Sequence, residues 1–289
     1  MVATKPISQI MLQRFSVRIY QEVPIPDEIQ QLFKSHLAAL LKGPLGSQLR
    51  LELVAGAPGD TRALRGLGTY GSIKNPAGFI VGAINPGQHA LEDYGFAMEK
   101  AVLHATALEL GTCWLGGAFT RGGFARKIRK LDNEIIPAVT SIGYAVEDSR
   151  ERDHSRQWVR ADQRQPWDAL FFDGRFGIPL KQELTGNYQQ PLEMVRIAPS
   201  AKNKQPVRII RDGHHWHFYC QRTPGYGKGT LLFTLLRAAD LQRIDIGIAM
   251  CHFELTAHEQ GQSGSWIVND PGLPVPDQHT LYVATWKEA

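Results

Sequence analysis

Hydrophobic residues recur at helical spacing in two long segments of the first half of the chain. In residues 25–41 they recur every three or four positions, and Pro26 with Asp27 supplies a typical helix start. Residues 93–110 are apolar or small on nearly every side, and Gly111 lies where a C-terminal cap belongs. The pattern predicts two helices, of which the second is central and buried.

Shorter apolar or alternating runs predict strands. Two of them form a hairpin that turns at Asp212 and Gly213, and a short helix at residues 192–196 precedes this hairpin. The chain therefore mixes helices and strands. The predicted strands cover residues 49–55, 78–84, 113–115, 139–146, 207–210 and 214–220.

The predicted central helix has a second copy in the chain. DYGFAMEKAVLHATALELGTCW, which starts at Asp93, aligns without a gap with DIGIAMCHFELTAHEQGQSGSW, which starts at Asp245. Helical periodicity alone would give two similar buried helices, whereas an internal duplication would give two like halves packed as a pseudo-dimer. Seven positions are identical, namely Asp93/Asp245, Gly95/Gly247, Ala97/Ala249, Met98/Met250, Leu103/Leu255, Ala105/Ala257 and Trp114/Trp266.

Composition and charge narrow the class of protein. The 289 residues are 43% hydrophobic and 21% charged, with 32 Lys and Arg against 28 Asp and Glu. No run approaches the roughly 18 apolar residues of a membrane span, and residues 1–13 lack the apolar core of a secretory signal. Basic residues are dispersed except in runs 121–130 and 150–164, which we interpret as solvated faces, with a few arginines that bind an anionic ligand as the alternative. A cytoplasmic protein without nucleic-acid or membrane partners is expected.

Cysteine and histidine spacing argues against a metal site. His215 and His217 share a strand face, but no third ligand is near, so exposed strand histidines are expected at residues 214–217. The cysteines have no CxxC pair, which disfavours disulfides and zinc and predicts small buried hydrophobes. A nucleophilic role for the first one remains the alternative. The cysteines are Cys113, Cys220 and Cys251.

Alternating polar residues near the N-terminus suit an anion. In QRFSVRIY, an extended backbone places Arg14, Ser16 and Arg18 on one face. Two guanidiniums beside a hydroxyl can bind a phosphate through charge-assisted hydrogen bonds. A basic strand with a solvated face is the alternative interpretation.

A second polar segment offers hydrogen-bonding groups for a ring. In APSAKNKQP, residues 198–206, Ser200, Asn203 and Gln205 can both donate and accept. Such a set fits the edge of a heteroaromatic ring that carries carbonyls and ring nitrogens. An ordinary polar loop, with Asn203 capping a turn, is the alternative.

Together these segments resemble the nitroreductase family of FMN-dependent oxidoreductases, in particular a subgroup with two nitroreductase-like halves fused in one chain. RFSVRIY resembles the family's Arg-x-Ser-x-Arg/Lys motif, and APSAKNKQP its Pro-Ser-x-x-Asn-x-Gln-Pro motif. The central helix, SIGYAVED and RQPWDALFF resemble the segments between them. The resemblance implies an α+β nitroreductase-like fold with mixed or antiparallel sheets flanked by helices. Its two tandem halves, residues 1–172 and 173–289, would form an intertwined pseudo-dimer.

The resemblance also implies where FMN binds. The first motif would hold the phosphate and ring edge, together with Arg164, with Arg160 nearby in reserve. The backbone after the central helix would approach the ring, where glycine leaves room, and Lys74 is a further candidate for positive charge at the ring. The second motif would reach in from the other half. The implied cofactor-binding residues are Arg14, Ser16, Arg18, Leu115, Gly116, Gly117, Arg164, Pro199, Ser200, Asn203 and Gln205.

Each half retains only one of the two motifs. Where the first half should carry the second motif it reads GPLGSQLRL, and the nearest counterpart of the first motif in the second half is GRFGIP. Because the retained motifs are complementary, one composite FMN site per chain is expected, and the internal pseudo-dimer is expected to be monomeric.

The resemblance implies an NAD(P)H-dependent nitroreductase whose chemistry is that of the flavin, with no catalytic side chain and no metal. Hydride would pass from NADH or NADPH through FMN to a small-molecule electron acceptor such as a nitroaromatic or a quinone. Which nicotinamide is used stays open. Two alternatives also stay open, namely an FMN-binding or storage protein without turnover, and a degenerate scaffold for protein interaction.

Overall fold

Two sheets and two long helices form the fold. The computed structural model describes residues 5–56, 63–117, 119–225 and 239–289. The elements up to residue 143 are α1 (Ile7–Gln13), α2 (Asp27–Ala39), β1 (Leu49–Ala55), β2 (Gly78–Ile84), α3 (Ala90–Ala107), β3 (Gly111–Leu115), α4 (Arg121–Lys127) and β4 (Val139–Gly143). Those that follow are α5 (His154–Trp158), α6 (Trp167–Leu170), β5 (Phe171–Asp173), α7 (Gln189–Ile197), β6 (Val207–Asp212), β7 (His215–Gln221), α8 (Leu241–Glu259), β8 (Gly264–Ile267) and β9 (Thr280–Glu288).

The same topology occurs twice. The first sheet has the order β1-β2-β4-β3 and is antiparallel throughout. The second has the order β5-β6-β7-β9-β8, in which β5 adds to β6 as a parallel edge strand. In the first sheet the long helix α3 connects β2 to the edge strand β3, and in the second sheet α8 connects β7 to the edge strand β8. The α+β fold of two tandem related halves is confirmed. The predicted boundary between residues 172 and 173 falls within β5 and stays a prediction.

The core is shared between the halves. The hydrophobic cluster that contains most of the second sheet includes Phe96 and Leu103 of α3, and the cluster of the first sheet includes Ile244 and Ile248 of α8. Both long helices therefore bury side chains in both clusters. A unit built this way cannot be separated into two halves without exposing apolar surface.

The repeated aspartates fasten one loop in each half. Asp93 accepts hydrogen bonds from the backbone N–H of Leu45, at 2.7 Å, and of Ser47, at 2.8 Å. Asp245 accepts one from the N–H of Ala201, at 2.9 Å. These loops are the two places where the second motif is expected, and only the loop at Ala201 carries it. The duplicated Asp thus positions the loop of the candidate site.

Most predicted elements are confirmed, but the end of the central helix is not where the sequence indicated. The predicted strands 49–55 and 78–84 coincide with β1 and β2. Helix α3 ends at Ala107, and Glu109 takes the left-handed conformation, with φ 62°, that reverses the chain. Gly111 is therefore not the cap. It begins β3, where a Cβ would lie 2.7 Å from Cγ2 of Val17.

The cysteine prediction is confirmed, and that for the histidines is partly wrong. Cys113, Cys220 and Cys251 are free and at most 2% exposed. His217 is buried rather than exposed, because its Nδ1 lies 2.7 Å from Oγ1 of Thr285 on the neighbouring strand β9. Across the described ranges, no group of three His, Cys, Asp or Glu residues is arranged to hold a metal ion.

Candidate cofactor site

A cavity of about 320 Å³ lies between the N-terminal segment after α1 and the loop after α7. Residues of both halves line it, so the site exists only because the two halves pack together. Of the eleven predicted cofactor-binding residues, the cavity brings together Arg14, Ser16, Arg18, Arg164, Pro199, Ser200 and Asn203.

Backbone pairing holds the first motif extended. The N–H of Val17 donates to the carbonyl of Thr112 on β3, at 2.8 Å, and the N–H of Lys74 donates to the carbonyl of Arg18, also at 2.8 Å. Val17 is 1% exposed and packs in the core, so the residues on either side of it point the other way. This alternation places Ser16 and Arg18 at the cavity.

The second motif has an unusual backbone. Lys202, Asn203 and Gln205 all have left-handed φ values, of 51°, 55° and 49°. Only glycine adopts this region freely, so each such residue costs on the order of 1 kcal/mol. Hydrogen bonds compensate, among them one from the Gln205 N–H to Oγ of Ser200, at 2.9 Å. Strain of this kind, fixed by its surroundings, is typical of ligand-binding loops.

The amide side chains of this loop hold the segment that carries Arg164. Oδ1 of Asn203 accepts from Nη1 of Arg164 at 3.1 Å, and its Nδ2 donates to the carbonyls of Arg160, at 2.7 Å, and Gln163, at 2.9 Å. Oε1 of Gln205 accepts from the N–H of Gln165 at 2.8 Å. Both amides therefore fix the direction from which Arg164 enters the cavity.

The cavity is strongly basic. Burial lowers the pKa of Arg14, and burial together with the neighbouring Arg14 lowers the pKa of Arg164 to about 10, so Arg164 is still charged at neutral pH. Three buried guanidinium nitrogens of arginines that line the cavity have no hydrogen-bond partner among the described residues. Unpaired buried donors are costly, and a phosphate supplies the acceptors that such a cluster lacks. These nitrogens are Nη1 of Arg14, Nε of Arg156 and Nε of Arg164.

Comparison with protein families identifies the fold. The family model described as "Putative TM nitroreductase" matches residues 6–257. The chain belongs to this nitroreductase family. A comparison with curated protein sequences finds no match.

One solved nitroreductase structure shares the fold of the whole chain, and others align with about half of it. The crystal structure of a "putative nitroreductase" from Thermotoga maritima aligns over 100% of this chain and 95% of its own, with 19% identity and a TM-score of 0.61. A nitroreductase with bound FMN from Bacteroides fragilis aligns over 50% of this chain and 90% of its own, with 20% identity and a TM-score of 0.39. An FMN-dependent nitroreductase from Clostridium difficile aligns over 48% of this chain and 88% of its own, with 19% identity and a TM-score of 0.38.

Four of the residues implied by the nitroreductase resemblance lie elsewhere. Gln205 is buried behind the cavity, where it supports the loop. The described lining does not include Leu115, Gly116 or Gly117. Leu115 is buried in the core. A Cβ at residue 116 would overlap the side chain of Leu241, so packing against Leu241 explains the glycine at this position. A role for these four residues in FMN binding stays a prediction. The reserve candidates Lys74 and Arg160 are exposed and are also outside the described lining.

The nitroreductase motifs do not include the basic residues of the segment around α5. Arg18 pairs with Asp153 at 2.5 Å, and Asp153 caps α5 by accepting from the N–H of Ser155. Arg156 of α5 lines the cavity, is 6% exposed and lies 5.6 Å from the centre of the Phe15 ring. The interpretation of run 150–164 as a solvated face is therefore wrong for Arg156. The clustering of arginines was the signal that could have found it.

Within the described residues, no helix combines the length and apolar character needed to cross a bilayer.

Proposed function

We propose that this chain is an FMN-dependent oxidoreductase that uses NADH or NADPH to reduce a small-molecule acceptor such as a nitroaromatic or a quinone. The observation that carries the proposal is the convergence of Arg14, Arg18 and Arg164 on one cavity between the halves. Family membership supports the same chemistry.

The residues present fit the phosphate of FMN. Arg14 and Arg164 enter the cavity from two distant segments of the first half, and each has a buried nitrogen without a partner among the described residues. Ser16 adds a hydroxyl that can donate to a phosphate oxygen. Arginine suits this task because its charge persists at all physiological pH values and its planar fork can bind two oxygens.

Bound FMN would supply the hydride chemistry, so no side-chain nucleophile is required. The chain's own residues bind and orient. The second motif offers the Ser200 hydroxyl at the cavity wall, which suits the polar edge of the ring, while the Asn203 amide holds the segment of Arg164.

The site is composite, and we propose one per chain. The N-terminal motif and the loop after α7 belong to different halves, and each motif is retained once. Since a homodimer of single-half subunits would form such a site from two chains, the fused chain can form it alone. The proposed oligomeric state is accordingly monomeric.

Titration of the purified protein with FMN tests this proposal, followed by anaerobic addition of NADH or NADPH. Uptake of FMN and bleaching of the flavin absorbance by a nicotinamide are expected. If the protein takes up no FMN, the proposal is wrong. If bound FMN is never bleached, the protein binds or stores FMN without turnover.

A further inference from the structure

A buried carboxylate and a buried imidazole lie directly behind Arg14. Glu99 of α3 is 0% exposed and His252 of α8 is 1% exposed. Oε1 of Glu99 lies 3.0 Å from Nε2 of His252, and Oε2 accepts from Nε1 of Trp114 at 2.9 Å. Nδ1 of His252 lies 2.9 Å from the carbonyl oxygen of Met194. The two residues connect α3, α7, α8 and β3 at the centre of the molecule.

Hydrogen-bond chemistry fixes the proton on Nδ1. The carbonyl of Met194 can only accept, so Nδ1 of His252 must donate. One further proton then lies between Nε2 and Oε1. Met194 is in the last turn of α7, where carbonyls have no intrahelical partner and the helix end favours a cation. This shared proton makes a hydrogen bond between Nε2 of His252 and Oε1 of Glu99.

Glu99 lies near Arg14 but does not bind it closely. Nε of Arg14 is 4.0 Å from Oε1, beyond hydrogen-bond distance, and the Arg14 side chain is only 7% exposed. Both oxygens of Glu99 already have donors, His252 and Trp114. The carboxylate therefore compensates the buried charge of Arg14 while leaving its N–H groups available at the cavity.

The pair occurs once, although the helices that carry it are duplicated. The 152-residue offset that pairs Asp93 with Asp245 places Glu99 opposite Cys251 and His252 opposite Lys100. Lys100 pairs with Glu254 at 3.6 Å. The buried acid and imidazole thus accompany the one retained Arg-x-Ser-x-Arg motif and have no counterpart in the other half.

We infer that His252 is a positioning residue that keeps Glu99 from closing onto Arg14, so that the Arg14 guanidinium stays available for a phosphate-bearing ligand. The inference rests on the proposed function in one respect, namely that the ligand carries a phosphate. Without His252, Oε1 of Glu99 loses its donor. The nearest buried cation is Arg14, and a close ion pair between them would compete with the ligand.

The test compares binding of inorganic phosphate and of FMN to His252→Leu, Glu99→Gln and the double variant. His252→Leu is expected to weaken both ligands roughly tenfold or more, the effect of losing a charge-assisted hydrogen bond. Glu99→Gln is expected to leave binding unchanged or tighter. The double variant is expected to return to within about threefold of the original protein, because the competing carboxylate is gone. A purely structural role for His252 predicts no such rescue.

Glu254→Gln is the matched control. Oε2 of Glu254 accepts from Nε1 of Trp266 at 2.8 Å, as Glu99 does from Trp114, yet Glu254 has no arginine of the cavity beside it among its described ion pairs. Phosphate binding by this variant should equal that of the original protein. A loss as large as that in His252→Leu would show a general effect of the core and overturn the inference.

Further outcomes separate the two proposals. The inference is overturned if the double variant binds phosphate as weakly as His252→Leu does. It is also overturned if Glu99→Gln alone loses as much affinity. Long-range ¹H–¹⁵N NMR of the unmodified protein should show a proton on Nδ1 of His252, which tests the arrangement even if His252→Leu fails to fold. An unprotonated Nδ1 overturns it. Binding of phosphate without binding of FMN refutes the proposed function alone, whereas binding of neither refutes both.

Discussion

Gly95 of α3 and Gly247 of α8 each lie against the backbone of the other's helix. A Cβ at Gly95 would overlap the carbonyl of Ile244, and a Cβ at Gly247 would overlap the carbonyl of Glu92. Each of these carbonyls belongs to the residue three positions before the opposite glycine. The contact is therefore reciprocal, as in a two-fold interface between identical subunits. It fixes the distance between the halves and hence the width of the cavity that both of them line.

Gly95→Ala and Gly247→Ala should each destabilise the protein by roughly 1–3 kcal/mol, because the obstructing atoms are backbone and cannot move aside alone. Urea denaturation measures the change. Gly122→Ala is the control, since this helical glycine of α4 is exposed and the nearest atom to its Cβ would be a side-chain nitrogen at 3.7 Å. It should stabilise by up to about 1 kcal/mol. Equal effects at all three positions would show that the close approach is unimportant.

The duplication could be predicted from the sequence because both halves need the same residues at the contact between α3 and α8. A glycine at 95 requires a glycine at 247, and an aspartate that fastens a loop is needed in each half. Strands β1 and β2 were predicted to their ends because one is alternating and the other is a short apolar run. Helices α5 and α6 and strand β5, with three to five residues each, are too short for a period to show.

The candidate site was predictable only where its geometry is local. Arg14 and Arg18 share a face because a strand repeats every two residues, and this holds in any context. Arg156 reaches the cavity because Asp153 caps α5 and binds Arg18, which is a contact over 135 residues. Likewise, Gly116, directly after β3, lies against the side chain of Leu241 at the start of α8. Long-range contacts of this kind leave no spacing in the sequence to read.

A stacked histidine pair predicts a specific pH dependence of stability. The rings of His36 and His104 stack at 3.8 Å, and burial, with His104 and Lys100, lowers the pKa of His36 from 6.5 to about 4. Between these pH values the unfolded chain binds a proton that the folded protein does not. The contribution of neutral His36 to the free energy of unfolding is therefore complete above pH 6.5 and is lost as the pH falls toward 4.

His36→Phe keeps a ring in the stack but removes this titration. Between pH 7 and pH 4.5 the original protein should lose on the order of 1 kcal/mol more stability than the variant, a modest amount because solvent screens the partly exposed ring. Chemical denaturation at both pH values measures the difference. His154→Phe, at an exposed position of α5, should lose as much stability between these pH values as the original protein. If His36→Phe loses as much stability as the original protein, the pKa of His36 is not lowered in the folded protein.

Two variants of Asn203 can separate the role of its side chain from that of its backbone in the second motif. Its amide makes three hydrogen bonds to the segment of Arg164, and its φ is 55°. Asn203→Ala loses the bonds and strains the backbone, whereas Asn203→Gly loses only the bonds. Both should weaken FMN binding about tenfold, because losing a bond to a charged group costs roughly 1.5 kcal/mol. Fluorescence titration with FMN measures this. Normal binding by Asn203→Gly alone would assign the effect to the backbone.

Arg156 should contribute to ligand binding at a cost in stability. Burial lowers the pKa of this guanidinium, and its Nε has no partner among the described residues, so its charge is imperfectly compensated without a ligand. Arg156→Met keeps the apolar volume and should weaken phosphate and FMN binding about tenfold, while the unliganded protein becomes no less stable.

Arg152→Met is the control for net charge, since Arg152 is exposed and is outside the described lining of the cavity. Its small effect on phosphate binding should vanish at high salt, because solvent ions screen exposed charges. The effect of Arg156→Met should persist, because the Arg156 side chain is 7% exposed and bonded to Asp162 at 2.8 Å. Titration with phosphate at low and high ionic strength measures both. Equal, salt-sensitive losses would mean that Arg156 acts only through the overall charge of the segment and does not reach the ligand.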